Sequence, residues 1–366
     1  MPEDSGLFLK RRVYGLNWHQ LRMNWNFNRW FLFLGFALFR RSQSLTEKLI
    51  IGRDKLDSGL SSSVYRRFGA KSTARKASQS LDVLVVAEHG RFGNSIRQFA
   101  NALATAEILG IREVVAKSLP MIPRSSWELR NGIRLTHDPL LKPRVVTRPV
   151  TALGGDFFVF SRLPKSVEAF DYSQIATDLG SLLAIRIDKP LPARTLVIHI
   201  RSGDAFSVGP HRSLGQPPLA FYTAVIERLK PTNVVLVFED DKNPVVGALL
   251  RWLGEVKIEF DIQSANFAAD LAVLLSARTL ITARGTLGDA VELVSPNLQR
   301  IATFGKKSQS RFPQSKSVKR LKVWDPAGTY SSANLMSNWR NTPQQRSLLL
   351  DFQPDQLTSR WDVTGG

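Results

Sequence analysis

Apolar residues are distributed along this chain in two ways. Short unbroken blocks flanked by turn residues predict strands buried on both faces, and apolar positions spaced by three and four predict helices. LDVLVVAEHG (81–90) is a block of the first kind, with Leu84, Val85 and Val86 apolar without alternation. A glycine-containing loop follows it, then a helix whose apolar stripe is Ile96, Phe99, Ala100, Leu103, Ala106 and Leu109. Asn94 has the chemistry of an N-cap there, and Gly110 that of a stop. VVA (114–116) and FFVF (157–160) predict further strands between proline-rich connections, so residues 81–190 read as a first α/β domain.

The alternation is more regular after residue 190. TLVIHI (195–200), VVLVF (234–238), KIEF (257–260) and TLIT (279–282) predict strands, and 219–229, 244–253, 267–277 and 289–294 predict helices between and after them. Strand and helix in strict turn are the mark of a doubly wound parallel sheet. Two such halves in tandem predict two Rossmann-like domains facing each other across a cleft, 81–190 and 191–325, with 326–366 as a C-terminal extension.

Residues before 81 differ in kind. WFLFLGFALF (30–39) is uncharged but only ten residues long, and a spanning helix needs roughly 20. It starts late and no small-x-small cleavage site follows, so it does not read as a signal peptide. Two readings of 1–57 stand. One is an interfacial anchor, with Trp18, Trp25, Phe27, Trp30, Phe31 and Phe33 beside Arg22, Arg29, Arg40 and Arg41 at an anionic membrane surface; the other is a buried helix packed on the body. SGLSSSVYRRFGAKSTARKASQS (58–80) reads as a linker. The stretch from Lys306 to Lys322 is basic but broken by Ser, Gln and Pro, and predicts a solvated surface loop.

At 366 residues, 43% hydrophobic and 22% charged, the chain is too long for one ordinary core and too mixed for disorder. The net charge of +19 is uneven, since residues 1–80 carry 15 Lys/Arg against 5 Asp/Glu. Such an excess predicts an anionic partner: nucleic acid, acidic headgroups or phosphate-bearing small molecules. No RRM, zinc-finger or helix-turn-helix pattern is present, so nucleic acid is the weakest of the three. There is no cysteine, which excludes disulfide scaffolds, thiolate zinc sites and cysteine nucleophiles and suits a cytoplasmic chain, peripheral on a membrane if the anchor reading holds. The five histidines, His19, His89, His137, His199 and His211, are scattered and predict no metal site; no cofactor is expected.

Ligands of open α/β sheets sit at the carboxyl ends of strands, which singles out three loops. At the end of TLVIHI, His199 and Arg201 are two apart and share a face, Gly203 permits a tight turn, and Asp204 can fold back on the pair. A buried imidazole and guanidinium need an anion to complete them, and a diphosphate suits Arg201; an internal Arg201–Asp204 ion pair is the structural alternative. The loop His89-Gly90-Arg91-Phe92-Gly93-Asn94 opens a helix whose amides attract anions, but it is neither a Walker loop nor G-x-G-x-x-G, and a purely structural turn is the other reading. In Thr282-Ala283-Arg284-Gly285-Thr286-Leu287-Gly288-Asp289, Thr282, Thr286 and nearby amides can hold phosphate oxygens while Arg284 adds charge, or the segment is a capped turn. Asp240, in Glu239-Asp240-Asp241 at the same edge, either contacts a ribose or acceptor hydroxyl or sits in a solvated turn.

Together these segments resemble the fucosyltransferase superfamily with the HxRxGD-type peptide, and are most similar to its α-1,2 group. GRFGNSIRQFANALATAEILG (90–110) is similar to that family's glycine-Leu-Gly-Asn helix opening, HIRSGD (199–204) matches the donor-site peptide, and DLAVLLSARTLITARGTLGDAVEL (270–293) stands where its last nucleotide-contacting segment belongs. The resemblance covers roughly residues 81–305. It implies a GT-B architecture, metal-independent transfer with inversion, a GDP-sugar donor on the C-terminal domain, and a glycan or polysaccharide acceptor approached from the N-terminal one. It implies Arg201 on the β-phosphate, His199 and Asp204 shaping that pocket, Thr286 and its neighbours near the phosphates, and Gly93 and Asn94 on a loop facing the cleft. The chain departs from the α-1,2 pattern at Ser202, where a second arginine is usual, at Ser95, Ile96 and Arg97, and at Thr286, Leu287 and Gly288, where Ser-Trp-Trp is usual.

Transfer chemistry suits the composition in its own right. An inverting transfer needs a base for the acceptor hydroxyl and cations for the leaving diphosphate, and neither role demands cysteine or metal. Asp204, Glu88 and Asp240 are the candidate bases. A transferase using another nucleotide sugar and a non-catalytic sugar-nucleotide or glycan binding protein are the rival readings.

Overall fold

The computed structural model describes residues 8–11, 83–86, 90–116, 121–123, 125–137, 151–155, 157–158, 163, 165–187, 189–206, 216–306, 312, 318–332 and 339–362. The chain divides into two compact units, Met1–Leu183 and Ala184–Gly366. Both are α/β, as expected.

The first unit holds six strands: β1 (Phe8–Arg11), β2 (Val83–Val86), β3 (Glu113–Ala116), β4 (Ser125–Glu128), β5 (Arg134–His137) and β6 (Thr151–Gly155). They lie in the order β1-β6-β2-β3-β5-β4. β6, β2, β3 and β5 run parallel, and β1 and β4 close the two edges antiparallel. β1 brings residues of the basic N-terminal segment into this sheet, and the rest of 1–57, with the aromatic run 30–39 and the linker 58–80, lies outside the described residues. Helix α1 (Phe92–Leu109) buries the predicted stripe and ends at Gly110, whose φ of 69° is left-handed. Helix α2 (Ser173–Leu182) packs on it.

Two expectations fail in this unit. Asn94 does not cap α1: the cap position is Arg91, and Asn94 is already helical, with its amide lying against Gly90. Phe157 and Phe158 form no strand. The strand is TALGG just before them, hidden by its glycines, and the two residues are held to α1 instead: Asn101 Nδ2 donates to the Phe157 backbone carbonyl at 2.7 Å, and the Arg97 guanidinium lies 4.3 Å from the centre of the Phe158 ring.

The second unit holds β7 (Thr195–Ile200), β8 (Asn233–Phe238), β9 (Glu259–Gln263), β10 (Thr279–Thr282), β11 (Arg300–Phe304), β12 (Lys319–Trp324) and β13 (Thr358–Asp362), in the order β13-β12-β11-β10-β7-β8-β9. All neighbours are parallel except β13, which is antiparallel to β12. The first six strands therefore follow the Rossmann order 3-2-1-4-5-6, with its reversal between β7 and β10. Helices α3 (Leu219–Leu229) and α4 (Pro244–Glu255) cover one face, and α5 (Phe267–Ser276) and α6 (Thr286–Val294) follow on the return half. Asn243 caps α4 by accepting from Val245 N at 3.0 Å, ahead of a proline at the first helical position.

β9 begins two residues later than the pattern predicts, because Lys257 takes a left-handed φ of 56° in the turn after α4. The basic stretch ending at Lys322 is not all surface loop. Its last residues enter β12, where Arg320 is ion-paired with Glu292 and Lys322 with Asp362, so both cations are buried with partners the local sequence does not display. Residues 326–366 likewise supply structure to this unit: α7 (Pro343–Leu350) buries Leu349 in the core and β13 pairs with β12.

Candidate active site at the strand reversal

In a sheet of this order a crevice opens beyond the carboxyl ends of the two strands at the reversal, here β7 and β10. β7 ends at Ile200, and the chain turns through a short 3-10 segment, Gly203–Phe206. β10 ends at Thr282, and α6 begins at Thr286. HIRSGD and TARGTLGD are thus brought side by side, and Ala283 N donates to His199 O at 3.1 Å across the gap.

Arg201 lies on Gly285. A Cβ at Gly285 would stand 2.8 Å from Arg201 Nη1, and the φ of +151° at that residue disfavours any side chain, so the glycine makes room for the guanidinium at the N-terminus of α6. Arg201 Nη2 donates to Asp204 Oδ1 at 3.2 Å, and both side chains keep contact with solvent, at 23% and 40% exposure. The internal ion pair is therefore real, and it leaves part of the guanidinium facing the crevice. Arg284 is exposed at the same edge, its carbonyl accepting from Gln216 Nε2 at 3.3 Å, and it reaches toward Gly305 at the end of β11. Gln216 is itself held by Tyr330, whose hydroxyl donates to the Gln216 carbonyl. Thr286 is half-buried in the first turn of α6, and Thr282 is buried under Gly288, where a Cβ would collide with its hydroxyl at 2.2 Å.

His199 is half-buried, and its Nδ1 is enclosed with no hydrogen-bond partner among the described residues. Burial and then the charge of Arg201 push the imidazole down to about 4, so the ring is neutral at pH 7. Across the sheet His199 is in register with Thr282, Thr282 with Thr303 and Thr303 with Lys322, a polar row on one face at the strand ends.

The far side of the β7 turn is clamped. Asp240 Oδ1 accepts from Gly203 N at 3.0 Å, Lys242 N at 3.2 Å and the Ser202 hydroxyl, and Lys242 Nζ meets Oδ2 at 2.9 Å. Ser202 Oγ in turn accepts from Asn243 N at 2.9 Å, and Asn243 Nδ2 donates to Arg201 O at 2.9 Å. Partial burial alone would raise Asp240, but these hydrogen bonds outweigh it and hold the carboxyl well below the usual carboxylate range. Asp240 is thus spent on fixing the turn that carries Arg201. Ser202, standing where a second arginine is usual in the α-1,2 enzymes, faces inward and is 1% exposed. Neither Ser202 nor Asn243 stands out in the sequence as a site residue; the Asn-Pro pair at 243–244 signals a helix start, and only the fold brings Asn243 beside the β7 turn.

In the first unit, Gly90 has a φ of +60° and Arg91 is exposed, with Gly93 buried and Asn94 half-buried at the start of α1. Glu88, His89 and His211 lie outside the described residues. Among the described residues no group of three or more His, Asp or Glu side chains gathers around a metal-sized space, and no helix is long and apolar enough to cross a membrane.

No family model and no curated protein matches the chain. Among solved structures it is similar to POFUT1 in complex with GDP, at 12% identity and a TM-score of 0.37 over 61% of this chain and 98% of that one. It is also similar to the bacterial iron-containing dodecameric glycosyltransferase TibC from enterotoxigenic E. coli, at 14% identity and a TM-score of 0.42 over 76% of this chain and 75% of that one. A third is E. coli ADP-heptose LPS heptosyltransferase II, at 13% identity and a TM-score of 0.27 over 68% of this chain and 71% of that one. Scores and identities of this size mark a slight likeness.

Proposed function

We propose that the chain is an inverting glycosyltransferase that binds the diphosphate of a nucleotide sugar at the β7–β10 reversal, with GDP-fucose as the first donor to test and a surface glycan or polysaccharide as acceptor. The observation that carries this reading is the placement of Arg201 against Gly285, at the N-terminus of α6 and beyond the central strand of a Rossmann-ordered sheet. Arg201, Arg284 and the first amides of α6 then meet the charge that develops on the departing diphosphate. As the bond from the sugar C1 to the diphosphate oxygen breaks, the acceptor oxygen bonds to C1 and its proton passes to a carboxylate. Asp240, so strongly hydrogen-bonded, is a poor base, whereas Asp204 stands partly exposed beside Arg201 and is the described carboxylate we assign to the role. His199 is neutral and its Nδ1 is enclosed, so it is assigned to shaping the pocket beside Arg201. Gly90, Arg91, Gly93 and Asn94 are assigned to the acceptor side by resemblance.

Calorimetric titration of GDP, UDP and CMP into the wild type and Arg201→Ala tests the site. Selective GDP binding that weakens by about 1.5–3 kcal/mol in the variant is expected. No nucleotide binding, or equal binding by Arg201→Ala, removes the donor site. GDP binding without turnover of any GDP-sugar leaves a sugar-nucleotide binding protein.

A further inference from the structure

We propose that a cavity of about 230 Å³ on the β8 side of the same turn, lined by Phe206, Lys242, Trp339, Arg340 and Asn341, binds one sugar ring carrying a carboxylate or a phosphate. That this sugar belongs to the acceptor rests on the transferase reading; that it binds does not.

The cavity and the Arg201–Gly285 corner flank one short segment, Gly203–Phe206, the first toward β8 and the second toward β10. The floor is rigid and apolar: the Phe206 and Trp339 rings meet edge to face, 4.9 Å between centres, and are 8% and 4% exposed. The rim is made of donors. Lys242 is exposed and steadied by Asp240 at 2.9 Å, while Arg340 is exposed and its backbone N donates to Gln345 Oε1 at 2.7 Å. Among the described residues no acidic side chain lines the space, and the Arg340 guanidinium has no ion pair. A ligand that fits must supply acceptors for two cations and one apolar edge for the rings. A neutral nucleobase leaves the Arg340 guanidinium unmatched, and a metal cation is repelled. The volume is below that of sites which enclose drug-sized molecules, roughly 300 Å³ and upward, and suits a single ring better than a whole nucleotide. An acidic or phosphorylated sugar meets all three conditions.

The test is chemical-shift titration of sodium glucuronate, glucose 6-phosphate and glucose into the full chain and into Arg340→Gln, with a GDP titration on the same samples. Arg340 is exposed, so the variant keeps the fold, checked by its melting temperature. Saturable binding of glucuronate, glucose 6-phosphate or both, with glucose at least fivefold weaker and Arg340→Gln at least fivefold weaker for the acidic ligand, is expected; which acidic ligand binds assigns carboxylate or phosphate. Binding of neither, glucose binding as well, or indifference to Arg340→Gln overturns the proposal. If the acidic sugar binds in this way while GDP does not, the donor-site reading fails alone.

Discussion

On one face of the second sheet Leu196, Ile198, Ile200, Val234, Leu236, Ile281, Ala302, Phe304, Leu321 and Val323 form one apolar cluster with residues of α3, α4 and α7, and the polar side chains in register with them, Thr279, Arg300 and Lys319, stand at the strand starts. On the other, the residues in register are Val197, Leu280 and Ile301 but also His199, Thr282, Thr303, Arg320 and Lys322. Both faces are buried by a strand and helix layer, yet only the first is a plain hydrophobic core. The second spends its polar groups in two places, a charged pair under α6 and a polar row at the strand ends where ligands of this fold bind. The polar groups of this sheet are therefore divided unevenly, with the buried charged pair and the strand-end row both on the second face.

That contrast can be broken from either side. The largest effect is expected from Glu292→Gln, which leaves the Arg320 guanidinium buried without its carboxylate and should cost about 4 kcal/mol in urea unfolding. A double replacement, Glu292→Leu with Arg320→Met, should recover most of that loss, since it removes both charges together. Leu236→Ala on the apolar face should cost about 3 kcal/mol, through lost contacts and a cavity. A loss as small as at an exposed site would mean that this face is not the core.

His199 gives a smaller, pH-dependent effect. Its imidazole is held neutral in the fold at about 4 against 6.5 for the free group, so the unfolded chain takes the proton first. The stability is fully present above about 6.5 and is lost as pH falls from there toward 4, by roughly 2.5 kcal/mol at pH 4.5. His199→Gln should flatten the pH dependence measured by denaturant midpoints, and an unchanged slope would show that the ring is already charged or exposed. The smallest effect should carry the opposite sign. Thr303 Oγ1 is buried with no partner among the described residues, so Thr303→Val should raise stability by about 1 kcal/mol or less, read from the melting temperature.

The apolar face was the easier to read. β7, β8 and β10 are continuous apolar blocks because both sides of a parallel strand are covered, and their boundaries fall within a residue of the pattern. β12 was not legible, since KRLKVW alternates charge with apolar residues and reads as exposed until Glu292 and Asp362 are brought to it from elsewhere in the chain. β6 gives a weak strand signal, since TALGG has one β-branched residue and ends in two glycines, and the aromatic pair Phe157 and Phe158 beside it gives a stronger one. At the candidate site, the placement of His199 and Arg201 at a strand end could be read from the spacing alone. The clamp of Ser202 by Asp240 could not, because it joins loops 38 residues apart and neither residue announces a partner.

β13 adds a matter of timing. Among the described strands of its sheet it is synthesised after all the others, yet it lies against β12, and its Asp362 is the carboxylate that meets the buried Lys322 ammonium. While the ribosome is still translating residues before 358, the second unit can hold its apolar face but must leave that ammonium without its counter-ion and the outer edge of β12 open to other strands. A nascent chain stalled at that stage presents an open strand edge to its neighbours, and a chaperone that covers that one edge until residues 358–362 have been made would shield it.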